Sequence, residues 1–240
     1  MTAMRLLVVN PNTSTEVTER LARVASSAAA ATTEVEAVQP DWGVVSVEGY
    51  YDGYVSVAAS LAAVHRRLDA GQRWDATIWA GFGDPGREAL QELLPGPVVG
   101  ITEAAAHTAC LVGHRYAVIT TRFRSIPMIE DLLAVSGLAS RCCGVFAAGL
   151  PVLAAERDLV DRIAELRGVA VGAGADVLCL GSAAMAGLAP ALSKALGLPV
   201  VDGVASAVQL AESVVRLGLT TSRVNGYAQP LPKHRPGWPR

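Results

Sequence analysis

Two short stretches run from apolar residues into small ones where a buried strand would hand over to a helix. They are Ile-Trp-Ala-Gly-Phe-Gly-Asp-Pro-Gly at 78–86 and Leu-Cys-Leu-Gly-Ser-Ala-Ala-Met-Ala-Gly at 178–187, each entered by an aspartate, Asp75 and Asp176. In an open parallel sheet, ligands bind in the crevice outside the carboxyl ends of the strands. Two further strand ends carry hydrogen-bonding side chains: Asn10, Asn12, Thr13 and Ser14 after the first apolar run, and Thr120 and Thr121 after a run beginning at Arg115. Backbone N–H groups and the helix dipole at such junctions suit a carboxylate or ureide oxygen, although a capping turn without a ligand has the same composition. Phe82 and Gly83 add backbone donors and a hydrophobic wall. Arg122 and Arg124 are either an attraction for an anionic substrate or plain surface charge.

Positioning these residues needs alternating strands and helices. Strands are expected at Arg5–Val9, Glu34–Val38, Ala76–Ala80, Pro97–Ile101, Arg115–Thr120, Gly144–Ala147, Asp176–Leu180 and Pro199–Val201, with helices between them, one of them at Met185–Leu196. Thr13–Glu16 has the spacing of a capping box, which starts the first helix. Continuous apolar strands separated by helices imply an α/β fold with parallel sheet covered on both faces. The pattern repeats: Arg5–Ser14 corresponds to Arg115–Ser125, Asp75–Gly81 to Asp176–Ser182, and Pro97–Gly100 to Pro199–Asp202, at offsets of about 100 to 110 residues. Two pseudo-symmetric, Rossmann-like halves follow, with the active site in the cleft between them. The expected boundaries are residues 1–100 with 205–227 for one half, 101–204 for the other, and a Pro-rich tail over 228–240. That tail is either disordered or an arm laid on another subunit.

The bulk composition narrows the function. With 240 residues, 51% hydrophobic, and a net charge of −2, the chain can bury a real core and offers no basic surface for nucleic acid. No apolar run approaches the roughly 18 residues of a membrane span, and Pro11 cuts the N-terminal one. A soluble, cytoplasmic protein is expected. The four cysteines, Cys110, Cys142, Cys143 and Cys179, have no metal-site spacing, and Cys110 and Cys179 lie in apolar segments that make them core residues.

Several stretches in register resemble the hydantoin/allantoin racemases of the aspartate/glutamate racemase superfamily, which also includes maleate isomerases and arylmalonate decarboxylases. They are Leu7–Ser14, Phe82–Gly86, Gly100–Ala105, Ile119–Thr121 with Pro127 and Ile129–Asp131, and Pro199–Gly203, so that the resemblance covers about residues 5–227. It implies a small-molecule substrate, a homo-oligomer, and no metal or organic cofactor. It also implies two cysteines, one from each half, that remove and return a proton on opposite faces of a carbon next to a carbonyl. A thiol suits this because its pKa of about 8.5 is readily lowered.

The two positions are Gly81 and Ser182 here, so both thiols are missing. Glycine has no side chain, and a serine hydroxyl is too weak an acid to act unaided. Arylmalonate decarboxylases are similar in having glycine at the first position. Glu48–Asp52 also resembles their Glu-Gly-Tyr-Asp, which would bring Tyr51 to the pocket as a third catalytic candidate; Ala183 joins the binding set beside Ser182. Glu48, His107 and Asp84 are the other titratable groups near these motifs. A packing role suits His107, turn chemistry suits Asp84, and Glu103 would orient backbone at a helix start. The implied activity is cofactor-independent chemistry at the carbon alpha to a carbonyl of a small carboxylate, hydantoin or ureide. A one-sided reaction such as decarboxylation, or a silenced ligand-binding homologue, are the alternatives.

Overall fold

The computed structural model describes residues 3–238. In the first half, strands β1 (Met4–Val9), β2 (Thr33–Val38), β3 (Ala76–Trp79) and β4 (Val98–Gly100) alternate with helices α1 (Thr15–Ala28), α2 (Tyr50–Asp69) and α3 (Arg87–Leu93). Helix α4 (Ile101–Val112) leads into the second half. There β5 (Tyr116–Thr120), β6 (Cys142–Ala147), β7 (Val177–Leu180) and β8 (Val200–Asp202) alternate with α5 (Ile126–Val135), α6 (Glu156–Gly172) and α7 (Ala189–Leu196), and α8 (Gly203–Arg216) follows.

Each half builds a four-stranded sheet, in the orders β2-β1-β3-β4 and β6-β5-β7-β8. Every pairing is parallel. The two orders are the same permutation, so the sequence repeat is a repeat of topology. The interior strands β1, β3, β5 and β7 are apolar on both faces because helices cover both.

The halves are laced together by exchanged helices. Ala105, Ala106 and Ala109 of α4 pack with Val118, Val177 and Cys179 of the second sheet. In return, Val204, Ala207, Val208 and Ala211 of α8 pack with Leu6, Val8 and Ile78 of the first. Small side chains let α4 and α8 lie against one another. At their N-termini a Cβ on Gly203 would come within 2.4 Å of the Ile101 carbonyl oxygen, so only glycine fits there.

Several expectations need correction. Ser14, not Thr13, caps α1: its hydroxyl accepts from the Val17 N–H, while Thr13 Oγ1 donates to the Val44 carbonyl. The helix expected from Met185 is a single 3-10 turn over Ala183–Met185, and α7 begins only at Ala189, because Gly187 takes φ 89° and breaks the run. Strand β6 starts two residues earlier than expected, at Cys142. Within the chain, tail residues between Gln229 and Trp238 line a hollow together with residues of α2 and α3, with Trp238 edge-on to His65 at 6.4 Å. Pro239 and Arg240 lie outside the described residues. No helix is long and apolar enough to cross a membrane among the described residues.

Candidate active site

The loops that follow β1, β2, β3, β5, β6 and β7 converge on one cavity of about 50 Å³. Gly81 and Ser182 both line it, each two residues past the end of the central strand that delivers it, β3 or β7. Pro11, Asn12, Phe82, Thr120, Thr121 and Ala183 line it as well. The wall includes two residues that carried no motif, Val47 from the loop after β2 and Val152 from the loop after β6, and three from inside the marked stretches that were not singled out, Pro85, Ser125 and Ala184. Val47 and Val152 follow equivalent strands of the two halves, β2 and β6, which the three matched stretches of the sequence repeat did not reach.

Hydrogen bonding divides the expected binding residues into scaffold and wall. Asn10 is fully buried; its Nδ2 donates to Asn12 Oδ1, the Ser14 carbonyl and Thr18 Oγ1, and its Oδ1 accepts from the Asn12 N–H. It shapes the loop and does not face the cavity. Ser14 is committed to capping, and Thr13 ties this loop to Val44 through backbone and side chain. Gly83 is not a donor to the cavity, since its N–H is bonded to Thr102 Oγ1 at 2.7 Å. Thr120 Oγ1 donates to the Gly181 carbonyl at 2.9 Å and clamps β5 to the β7 loop. Asn12 Nδ2 and the Thr121 hydroxyl, by contrast, enter no hydrogen bond among the described residues and lie on the cavity wall. Ser182 Oγ accepts from the Ala184 N–H at 3.3 Å, the cap of the 3-10 turn, and keeps its proton for a further partner.

Among the described residues, no side chain that titrates near neutral pH lines the cavity. Tyr51 is a correction: it stands on the first turn of α2 with 78% of its surface exposed and takes no part in the wall. His107 is on the outer face of α4, 3.7 Å from Glu103, which in turn holds Arg87 at 2.5 Å. Asp84 is buried but turned away, accepting from the Thr102 and Glu103 backbone N–H groups at the start of α4. None of the four cysteines lines the cavity. Cys179 is buried within β7, where burial pushes its pKa well up, and burial also raises Cys142 to about 11.

Two of the charges adjacent in sequence to the wall are Glu48, next to Val47, and Arg122, next to Thr121. They pair at 2.9 Å, and Ser125 Oγ donates to the Glu48 carbonyl at 3.4 Å. Arg124 packs on Gly49, where a Cβ would meet its Nε at 2.9 Å. The loop after β2 is therefore a strap drawn from the first half across the second. Larger hollows lie elsewhere, about 780 Å³ under the tail and about 740 Å³ beside α1 and α8, but the interior strand ends do not converge on them.

The arrangement offers neutral hydrogen-bond donors from both sheets to a small ligand, and an apolar remainder. Such donors hold a carbonyl oxygen and favour the negative charge that grows on it when an adjacent C–H bond loses its proton.

The Asp/Glu/hydantoin racemase family model matches residues 6–211. The chain is 39% identical over 238 residues to a hydantoin racemase of Rhizobium meliloti, covering 98% of each chain. A crystal structure of allantoin racemase from Pseudomonas fluorescens superposes with a TM-score of 0.92 at 45% identity, covering 98% of this chain and 100% of that one. Unliganded arylmalonate decarboxylase shares the fold alone, with a TM-score of 0.56 at 20% identity over 100% of this chain and 98% of that one. Twin parallel sheets whose matching strand ends enclose one cavity thus carry a sequence that matches along nearly its full length, and the chain belongs to the Asp/Glu/hydantoin racemase family, a racemase-type isomerase by lineage.

Proposed function

We propose that this chain acts, without a cofactor, at the carbon next to a carbonyl of a small neutral hydantoin or ureide. The observation that carries the reading is the placement of Gly81 and Ser182 on one cavity, at equivalent points of the two sheets. Relatives at 39% and 45% identity whose names are hydantoin and allantoin racemase support the substrate class. So does the wall chemistry: amide, hydroxyl and backbone groups suit an imide or urea better than a carboxylate, which would call for a cation that the wall lacks.

The two-thiol inversion is unavailable to this chain. Thr121, Asn12 and the strand-end backbone would stabilise an enolate-like intermediate, and Ser182 is the side chain placed to exchange a proton with one face. An unassisted hydroxyl makes that exchange slow. A second reading, ligand binding without turnover, is favoured by the absence of any titratable side chain on the wall.

Proton NMR in D2O with allantoin and with 5-substituted hydantoins separates the two. Loss of the α-proton signal at least tenfold faster than the spontaneous rate supports the enzyme. Saturable binding by calorimetry with only the spontaneous rate supports the binder. Neither binding nor exchange removes this substrate class.

A further inference from the structure

Gly81 takes no left-handed φ, so its backbone would accept any residue; its surroundings do not. A Cβ built there lies 2.9 Å from Pro11 Cγ and 3.1 Å from Trp79 Nε1, with Trp79 Cε2 at 3.5 Å. The proline ring can yield by a change of pucker. The indole cannot yield so readily: Trp79 is 1% exposed, in the core that β1 and β4 share with α2 and α3, among Leu7, Val9, Val64, Leu90 and Val98. Its Nε1–H has no acceptor among the described residues, although a buried indole N–H ordinarily finds one, so hydrogen bonding does not explain why a tryptophan stands there. On the other flank, Ser182 has both a side chain and a use for it, in the cap to Ala184.

We infer that Trp79 and Gly81 form a large–small pair that closes the first-half flank of the site, so that Trp79 makes any proton exchange one-sided. A thiol at position 81 requires a smaller residue at 79, and replacing the glycine alone does not rebuild a two-sided site. The inference deepens the proposed function and rests on it for the meaning of "flank"; the packing claim stands on its own geometry.

The test is a double-mutant cycle read first without any substrate. Gly81→Cys alone is expected to lower the melting temperature by roughly 3–10 °C through overpacking. Trp79→Ile, a residue suited to a strand, is expected to lower it through the cavity it leaves. The double variant should melt higher than the sum of the two losses predicts, with Trp79→Phe giving an intermediate degree of rescue. Additive losses, or a Gly81→Cys protein as stable as the parent, overturn the inference.

Proton exchange is then measured on allantoin in the Ser182→Cys background. Adding Gly81→Cys and Trp79→Ile together should speed racemisation at least tenfold over adding Gly81→Cys alone. Equal rates for the two overturn Trp79 as the closing residue. Thermal coupling with no racemisation in any variant upholds the pair and counts instead against the proposed function.

Discussion

Asp84 holds a backbone conformation uncommon outside glycine, φ 44°, and spends its carboxylate on the first turn of α4. Burial raises its pKa from 3.8 to about 7, against the lowering pull of the Thr102 and Glu103 N–H groups and of Arg87. The folded protein thus keeps a proton that the unfolded chain has already released. The resulting stabilisation is complete below about pH 4 and lost as pH rises through about 7. Asp84→Asn is expected to flatten the fall in denaturant midpoint between about pH 4 and 7 that the parent shows, by titration of the parent and variant side by side. Glu212 has the opposite sign. Burial opposes its ionisation, but Thr33 Oγ1, the Ala30 N–H and Arg216 outweigh that and hold its pKa low. Its contribution is present above its unfolded pKa and fades as pH falls through the lower folded one. Glu212→Ala strands two donors and should cost about 1.5–3 kcal/mol at pH 7 by urea unfolding, less at pH 4. On the cavity wall, Thr121→Val should weaken allantoin binding about fivefold to tenfold in calorimetry with little change in melting temperature. Thr120→Val, which breaks the clamp to Gly181, should lower stability by about 1 kcal/mol.

At the scale of elements, the strap after β2 joins the two halves over the cavity. A cavity of about 50 Å³ is far below the roughly 300 Å³ at which ligand pockets begin, so the wall, to which the strap contributes Val47, must move to admit a ligand. The strap is fastened at one end by Thr13 to Val44 and at the other by Glu48 to Arg122. The ion pair is partly exposed, with side-chain accessibilities of 34% and 24%, and such a pair is worth about 0.2–1 kcal/mol. Arg122→Ala is therefore expected to raise hydrogen exchange at residues 43–48 by about 1.5- to 5-fold while exchange in β1 and β5 stays unchanged. If the strap amides exchange at the parent rate, the pair does not hold the loop.

The molecule as a whole is tied by exchange of helices. Because α4 completes the core of the second sheet and α8 that of the first, neither half keeps its core when the other opens. Unfolding should be a single transition. The tryptophans make this easy to check, since Trp42, Trp74 and Trp79 lie in the first half, Trp238 in the tail, and none in the second half. Fluorescence and far-UV circular dichroism should give coincident denaturation curves; an earlier fluorescence midpoint would show the first half opening alone.

Much of this architecture was legible in the chain. Buried parallel strands such as β1 and β7 must be apolar on both faces, and the ordered recurrence of Asp75–Gly81 in Asp176–Ser182 exposed the doubling. The motifs also marked the strand ends, and local chemistry sufficed because small residues and caps act within a few positions. What a side chain does once placed was not legible. Asn10 and Thr121 look alike as polar residues at strand ends, yet one is consumed by its own loop and the other lies on the cavity. Tyr51 falls on the solvent face of α2 because helix phase, not proximity in sequence, sets direction. Sequence determined the doubled α/β plan and the glycine and serine at positions 81 and 182, since these depend on local pattern and residue identity. Only the tertiary structure decided which donors remain free, how Val47 and Val152 join the wall, and how closely a Cβ at position 81 would approach Pro11 and Trp79, since those follow from how the packed loops and side chains meet in space.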